Sequence, residues 1–200
     1  MRTGTLRSKL ALLMLAVAPL FAGGCCPLFT AVYIPDDGLE QALRQALNKP
    51  FGCLTKGDLA SLTELQAESR GIRSIEGLEH CTGLIVLNLR GNSLQSITPL
   101  TDLANLVRVD LTANAVRNIE PIAGWQNLDE LKLAGELMEI VDWAPLAANV
   151  NAARGLSAGD VVVLSTATTV DANLNPLPNF ANAFEALQNA GVSVLFGDVQ

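Results

Sequence analysis

The sequence predicts an α/β solenoid, in which short parallel strands stack into one curved sheet. The main observation is a pair of segments, "LNLRGNSLQSITPL" at 87–100 and "VDLTANAVRNIEPI" at 109–122, that match almost position for position. The second is the helical spacing of apolar residues on both sides of the repeats, which predicts a cap at each end. The third is a hydrophobic N-terminal segment with a cationic start, which stands apart from the solenoid.

Each repeat unit contains a pattern of the type Leu-x-x-Leu-x-Leu, as at Leu84, Leu87 and Leu89, with Ala67 and Val109 as apolar replacements in two units. Its last part alternates with period two, which predicts a short strand with one apolar face. One unit cannot bury that face alone, whereas stacked units share a continuous core. Four units of equal length are predicted, at 62–83, 84–105, 106–127 and 128–149. The outer units keep the inward positions Leu62, Leu65, Ala67, Ile72, Ile75, Leu78 and Cys81 upstream, and Leu128, Leu131, Leu133, Met138 and Val141 downstream.

An asparagine follows the strand in the two central units, at Asn92 and Asn114. Its side chain can bond backbone groups at the turn, so we interpret both residues as structural. Arg70 and Glu136 stand at this position in the outer units. The pattern resembles the leucine-rich repeat family, in the 22-residue form of internalin-like bacterial surface proteins. The resemblance implies a parallel sheet on a concave face that binds protein partners.

Both ends of the array are predicted to be capped. Before it, Asp36 or Asp37 starts a helix, and "LTKGDLASL" forms a second helical turn. The apolar side of the first helix is predicted at Leu39, Ala42, Leu43, Ala46 and Leu47. After the repeats, residues 150–200 form a degenerate repeat and a cap. There Val162 and Leu164 face inward on a fifth strand, and Ala167 stands where the asparagine would be. A helix with inward positions Phe180, Ala183, Phe184 and Leu187 then precedes a last strand, "VSVLF".

Residues 1–24 have the charged start and short apolar run of a secretory signal. The alternative is a buried N-terminal helix. The run ends in Ala22-Gly23-Gly24-Cys25, which resembles the lipobox of bacterial lipoproteins, although the family usually has Leu where Ala22 stands. The resemblance implies that Cys25 is acylated, with Cys26 a poorer candidate, and that residues 25–61 form a lipid-anchored N-terminus and cap. It implies the cell envelope, with the outer membrane favoured over the inner; without acylation the protein is secreted.

Composition excludes several functions. The chain carries 13 basic and 20 acidic residues, and removal of the signal takes away three bases and no acid. Nucleic acid is therefore not an expected partner. His80 is the only histidine, and no metal-ligand or calcium-loop spacing occurs. We expect no cofactor, no metal and no catalysis, because no pair of nucleophile and base can be named. A secreted hydrolase is the weakest alternative.

Two cysteines remain outside the lipobox, Cys53 and Cys81. An exported protein meets an oxidising compartment, so a disulfide between them is one interpretation. It would tie the cap to the first repeat. The other interpretation is two separate buried thiols, because Cys81 holds an inward position of its unit.

The residues between the inward positions of each strand are predicted to face outward on the concave side. We expect a protein partner there and a monomeric protein. The predicted binding residues are Gln66, Asn88, Arg90, Arg108, Asp110, Glu130 and Lys132. Arg90 and Arg108 are favoured as anchors, since arginine is enriched in binding hot spots. The alternative is a structural envelope scaffold whose concave face binds no specific ligand.

Overall fold

The computed structural model describes residues 31–152, 155–165, 169–170, 176–177 and 179–197. In this part of the chain, one sheet of six parallel strands follows the order of the sequence. The strands are β1 Glu64–Gln66, β2 Val86–Asn88, β3 Arg108–Asp110, β4 Glu130–Leu133, β5 Val161–Leu164 and β6 Ser193–Phe196. The predicted solenoid with a parallel sheet is confirmed. The signal segment and Cys25 lie outside the described residues.

The register of the sheet follows the sequence repeat in its first four strands. Glu64 pairs with Val86, Val86 with Arg108, and Arg108 with Glu130, so the step along the chain is the same each time. Glu130 then pairs with Val161, and Val161 with Ser193. The last two coils are therefore longer than the three before them. The fifth strand does form, and its predicted inward residues Val162 and Leu164 are buried.

The return side of the solenoid carries short helices in place of strands. Three are 3-10 helices, at Leu78–His80, Thr98–Leu100 and Glu120–Gly124, and the fourth coil has a true α-helix, α3 Ala144–Val150. Proline lies in the first turn of the last three. Its missing backbone N–H costs nothing there, because the N–H groups of a first helical turn have no acceptor within the helix. The apolar residues of both sides meet in one continuous core, which includes the fully buried Trp125 and Trp143.

Buried asparagines tie the turns of the central coils. The Asn92 Oδ1 atom accepts from the backbone N–H groups of Arg70 (3.1 Å) and Ile72 (3.0 Å), and its Nδ2 donates to the carbonyls of Ala67 and Leu89. Asn114 bonds the coil before its own in the same way. Both side chains therefore satisfy buried backbone groups between neighbouring coils, as their structural interpretation requires.

The fourth coil departs from the predicted pattern after Met138. Val141 is 68% exposed, and Ile140 takes the inward place that the spacing assigned to Val141. At the position of the turn asparagine stands Glu136, whose side chain is exposed. The turn is held from the next coil, by the Ser165 hydroxyl that accepts from the Gly135 N–H (3.3 Å). The chain therefore enters the core one residue sooner than the repeat spacing predicts, in a turn closed by a residue of the next coil rather than by an asparagine.

The N-terminal cap consists of α1 Asp37–Ala46 and α2 Lys56–Ala60. Asp36 caps α1 by accepting from the Leu39 N–H (3.0 Å), and its second oxygen accepts from the N–H groups of Arg73 and Ser74 in the first coil. Partial burial raises the pKa of Asp36, but these backbone donors outweigh it and lower the pKa below its usual value. Ala46 is exposed, contrary to prediction, because α1 ends there, beyond its contact with the first coil.

The C-terminal cap is α4 Phe180–Asn189 followed by β6. Ala183 and Leu187 are buried as predicted. The Phe180 ring packs edge-on against Trp143, with ring centroids 5.2 Å apart. β6 forms the outer edge of the sheet in the described part of the chain, and Leu195 and Phe196 are about half exposed there. None of the helices in the described ranges has the length and apolar character to span a bilayer.

Candidate functional site

The concave face, defined as the outward-facing side chains of β1–β6 together with Glu68 and Arg90, is ordered in two rows by the strand register. One row runs through Glu64, Val86, Arg108, Glu130, Val161 and Ser193. The other runs through Gln66, Asn88, Asp110, Lys132, Val163 and Leu195. The strand pattern thus places six of the seven predicted binding residues in two adjoining rows. Arg90 follows β2 on the same face.

A hydrogen-bonded group lies at the β1 end of this face. Gln66 Nε2 donates to Glu64 Oε1 (2.9 Å), and Asn88 Nδ2 donates to Gln66 Oε1 (2.9 Å) and Glu68 Oε2 (3.3 Å). The Asn88 Oδ1 atom accepts from the Arg90 N–H (3.1 Å). These side chains hold one another in place, which lowers the conformational entropy that a partner has to remove on binding.

The charges in the middle of the face are unevenly paired. Lys132 Nζ lies 2.8 Å from Glu130 Oε1, and Asp110 Oδ1 accepts from the Thr112 N–H (2.9 Å). Arg90 and Arg108 are exposed, and within the described ranges neither guanidinium forms an ion pair or a side-chain hydrogen bond. Two cations on neighbouring strands are therefore available to carboxylates from outside the chain.

A shallow depression of about 180 Å³ opens on this face. Its lining includes six of the predicted binding residues, namely Gln66, Asn88, Arg108, Asp110, Glu130 and Lys132. Arg90 is not part of the lining. The structure therefore gathers Arg108 with the other predicted residues and places Arg90 at the border of the site.

The β5–β6 end of the same face is apolar. Val161 and Val163 are half-buried, and Leu195 on β6 is 54% exposed. Sequence reasoning assigned "VSVLF" to the cap and so missed Leu195 as a concave residue. The period-two alternation of that segment does indicate a strand with an outward-facing Leu195. Because the interval from β5 to β6 is longer than a repeat, the sequence did not indicate that this strand pairs with β5.

A larger hollow of about 640 Å³ lies elsewhere, between the 3-10 helix Glu120–Gly124 and α3. Arg117, Val141 and Pro145 are among its lining residues, so it arises where the fourth coil slips out of register. Arg117 is already paired with Glu139 (2.6 Å). The hollow is open and brings together no group of polar side chains comparable to that of the concave face.

The predicted disulfide between Cys53 and Cys81 is wrong. Cys81 is a free, fully buried thiol, and burial, followed by the nearby Glu79 carboxylate, raises its pKa to about 12. Cys53 is itself disulfide-bonded. Cys81 fills an inward position of the first repeat, where the core holds it. The other two cysteines, Cys25 and Cys26, lie outside the described residues.

No cluster of three or more metal-ligating side chains occurs in the part of the chain that the structure describes. His80 is half-buried, and its Nε2 atom lies 3.8 Å from Glu79 Oε1. That distance is long for a hydrogen bond.

Comparison with known proteins shows similarity in fold. No protein-family model matches the chain, and no curated protein sequence matches it. Among solved structures, internalin C2 of Listeria monocytogenes is similar over 83% of this chain and 66% of its own, at 27% identity and a TM-score of 0.61. The internalin inlF of the same organism is similar over 88% and 62%, at 24% identity and a TM-score of 0.60. The chain thus spans less than two thirds of either structure. Its fold is that of a short leucine-rich repeat solenoid similar to the internalins.

Proposed function

We propose that the protein is a non-catalytic recognition module that binds a protein partner through the concave face. The observation that carries this proposal is the depression on β1–β4, where six polar side chains converge and the Arg108 guanidinium has no partner within the described residues. The similarity to internalin C2 supports a protein-binding role by analogy of fold.

The chemistry of the face favours a partner that presents carboxylates beside an apolar group. Arg90 and Arg108 offer bidentate donors, and Val163 and Leu195 continue the same surface as an apolar area. Of the four acids on the face, Glu130 pairs with Lys132, and Asp110 accepts from the Thr112 N–H. Glu64 and Glu68 accept from the uncharged amides of Gln66 and Asn88. An incoming acidic segment therefore meets free cations at β2–β3 and apolar contacts at β5–β6.

The second part of the proposal is the location. Acylation of Cys25 would hold the module at the cell envelope, with the outer membrane favoured, and the lipobox-like end of the N-terminal segment supports this. Several acyl chains on one residue anchor firmly, since each buried CH₂ contributes about 0.8 kcal/mol.

The test is a crosslinking pull-down from native envelopes. It compares the wild type with the double variant Arg90→Glu, Arg108→Glu. The matched control is Arg73→Glu, Arg117→Glu, which reverses two exposed arginines away from the concave face. Circular dichroism checks that all three proteins fold.

We expect one protein to be recovered with the wild type and the control and to be lost with the concave-face variant. Equal recovery with all three proteins would refute the concave site. Recovery of nothing above background from any of them would favour the scaffold alternative.

A further inference from the structure

Two aromatic side chains of the N-terminal cap are almost fully exposed. Tyr33 is 82% exposed and Phe51 is 85% exposed, the highest values among the large hydrophobic residues that the structure describes. Neither belongs to the concave face or to the core. Aromatic side chains, tyrosine above all, suit a boundary that is apolar on one side and wet on the other, such as a membrane surface.

Both aromatics stand on segments that are fixed to the cap. Ala31 forms an antiparallel bridge with Thr55, and the Val32 N–H donates to the Leu54 carbonyl (2.7 Å). The segment of Tyr33 therefore runs beside the segment that follows Phe51. The Arg44 guanidinium donates to the carbonyls of Lys49 (3.2 Å) and Gly52 (3.0 Å), which holds the turn around Phe51 against α1.

The length of chain before the cap limits how far it can lie from a lipid anchor. Cys25 precedes Ala31 by six residues. A fully extended chain spans at most about 3.5 Å per residue, so an acylated Cys25 keeps Ala31 within about 20 Å of the lipid headgroups. The cap is thus the part of the solenoid that stays nearest to the bilayer.

The charges of these two segments suit a membrane surface. Residues 31–35 and 47–57 contain no acidic residue, although Asp36, Asp37 and Asp58 follow these ranges directly. Of the two lysines in these ranges, Lys49 is paired with Asp58 (2.6 Å). Lys56 is exposed and forms no ion pair with any described residue. No carboxylate in these segments has to be desolvated or brought near anionic lipids, and basic residues close to a membrane are attracted to it.

We propose that Tyr33 and Phe51 insert into the headgroup region of the bilayer that holds the acyl chains. Amphipathic and aromatic rings favour this depth. The contact docks the N-terminal cap on the membrane, and the coils follow away from it in sequence order. This inference rests on the envelope anchoring proposed above and is independent of the concave site.

The test is hydroxyl-radical footprinting with mass spectrometry. The acylated full-length protein, purified from membranes, is reconstituted into vesicles of phosphatidylethanolamine and phosphatidylglycerol without other proteins. The reference is the soluble Cys25→Ser form without vesicles. Leu137 and Val141 are the internal control, since they are 71% and 68% exposed but lie in the fourth coil.

We expect oxidation of Tyr33 and Phe51 to fall several-fold in the vesicles, while oxidation of Leu137 and Val141 stays unchanged. Unchanged oxidation of the two cap aromatics would overturn the proposal. So would an intact mass that shows no acyl group on Cys25, because the cap would then have no tether. The concave site would survive either result, since the pull-down tests it separately.

A second variant keeps the interpretation specific. Tyr33→Ser, Phe51→Ser removes only exposed rings and leaves the core intact. In the acylated protein on the same vesicles, we expect these changes to raise the labelling of the exposed Lys56 by an amine-reactive reagent, relative to Leu137→Ser, Val141→Ser, because the cap no longer docks on the bilayer. Equal labelling of Lys56 in the two double variants would contradict the insertion of these rings.

Discussion

The central coils, residues 84–127, and the coils that follow them, residues 128–197, share one sheet but close their turns by different means. In the central coils, Asn92 and Asn114 stand at the same place in each repeat and bond the backbone of the neighbouring coil. In the later coils, Ser165 holds one turn, and Asn149 on α3 holds the return side. In the central coils the same side chain thus makes the same contacts at a constant interval, whereas after β4 the interval between strands grows and other side chains close the turns.

The two tryptophans show the same contrast. Both are fully buried. The indole N–H of Trp125 donates to the Leu100 carbonyl of the preceding coil (3.0 Å). That of Trp143 has no acceptor among the described residues, and its ring instead packs edge-on against Phe180. Among the described residues, the buried indole N–H of the regular coil is thus hydrogen-bonded and that of the irregular coil is not.

The largest expected effect comes from the buried asparagines. Asn114→Ala removes contacts to the Leu94 N–H and the Leu89 and Leu111 carbonyls, and we expect it to lower the free energy of unfolding by about 3 kcal/mol. Asn149→Ala removes contacts to Ile122, Trp125 and Leu156, and we expect a similar loss. Urea denaturation measures both.

The control for this pair is Asn118→Ala, because Asn118 is exposed and its side chain, within the described ranges, accepts from the Glu120 N–H alone. We expect its effect to stay within about 0.5 kcal/mol of zero. A small cost for Asn149→Ala beside a large one for Asn114→Ala would show that the irregular coils hold without their asparagine.

The tryptophans give a matched comparison of smaller size. Trp125→Phe and Trp143→Phe remove the same atoms from fully buried sites, but only the first leaves a buried carbonyl, that of Leu100, without its donor. We therefore expect Trp125→Phe to cost about 1 kcal/mol more than Trp143→Phe. Thermal and urea unfolding of both variants test this; the reverse order would show that the Trp143 indole N–H has an acceptor.

The buried thiol of Cys81 tests how firmly the first coil is packed, at the opposite end of the array from the irregular coils. Because burial raises its pKa to about 12, we expect iodoacetamide at pH 8 to leave Cys81 unlabelled in the native protein and to label it fully in denaturant. Mass spectrometry reads the result. Rapid labelling of the native protein would mean that the first coil opens readily.

The sign of the pH dependence follows from the raised pKa of Cys81. The neutral thiol stabilises the fold below the ordinary pKa of about 9, and this contribution is lost as the pH rises towards 12. Alkaline unfolding of Cys81→Ala, compared with the wild type, isolates the effect. The two proteins should differ less at high pH than at pH 7.

The smallest expected effect lies in the cap. The Asp58 carboxylate bonds Lys49 (2.6 Å) and then Thr55, and these contacts lower its pKa from 3.8 to about 2. Its stabilising contribution is present above pH 3.8 and is lost as the pH falls towards 2. We expect Asp58→Asn to cost about 0.5 kcal/mol at pH 7, because the pair is partly exposed. Acid titration of both proteins should bring their stabilities together.

The regular part of the fold was predictable because each of its interactions uses residues that recur at a constant interval in the sequence. The spacing of Leu84, Leu87 and Leu89 predicted the position of each strand. The interval between Asn92 and Asn114 predicted how many residues separate one strand from the next. The outward positions, and with them six residues of the depression, followed from the same alternation.

Only the tertiary structure decided the features that do not repeat along the sequence. The inward place of Ile140, the free state of Cys81 and the concave position of Leu195 depend on the path of coils whose lengths differ. A repeat predicts contacts only while the interval is constant, since each neighbour is then at a known position in the sequence. Once the interval changes, packing between distant segments such as Trp143 and Phe180 determines the neighbours, and no local pattern in the sequence records it.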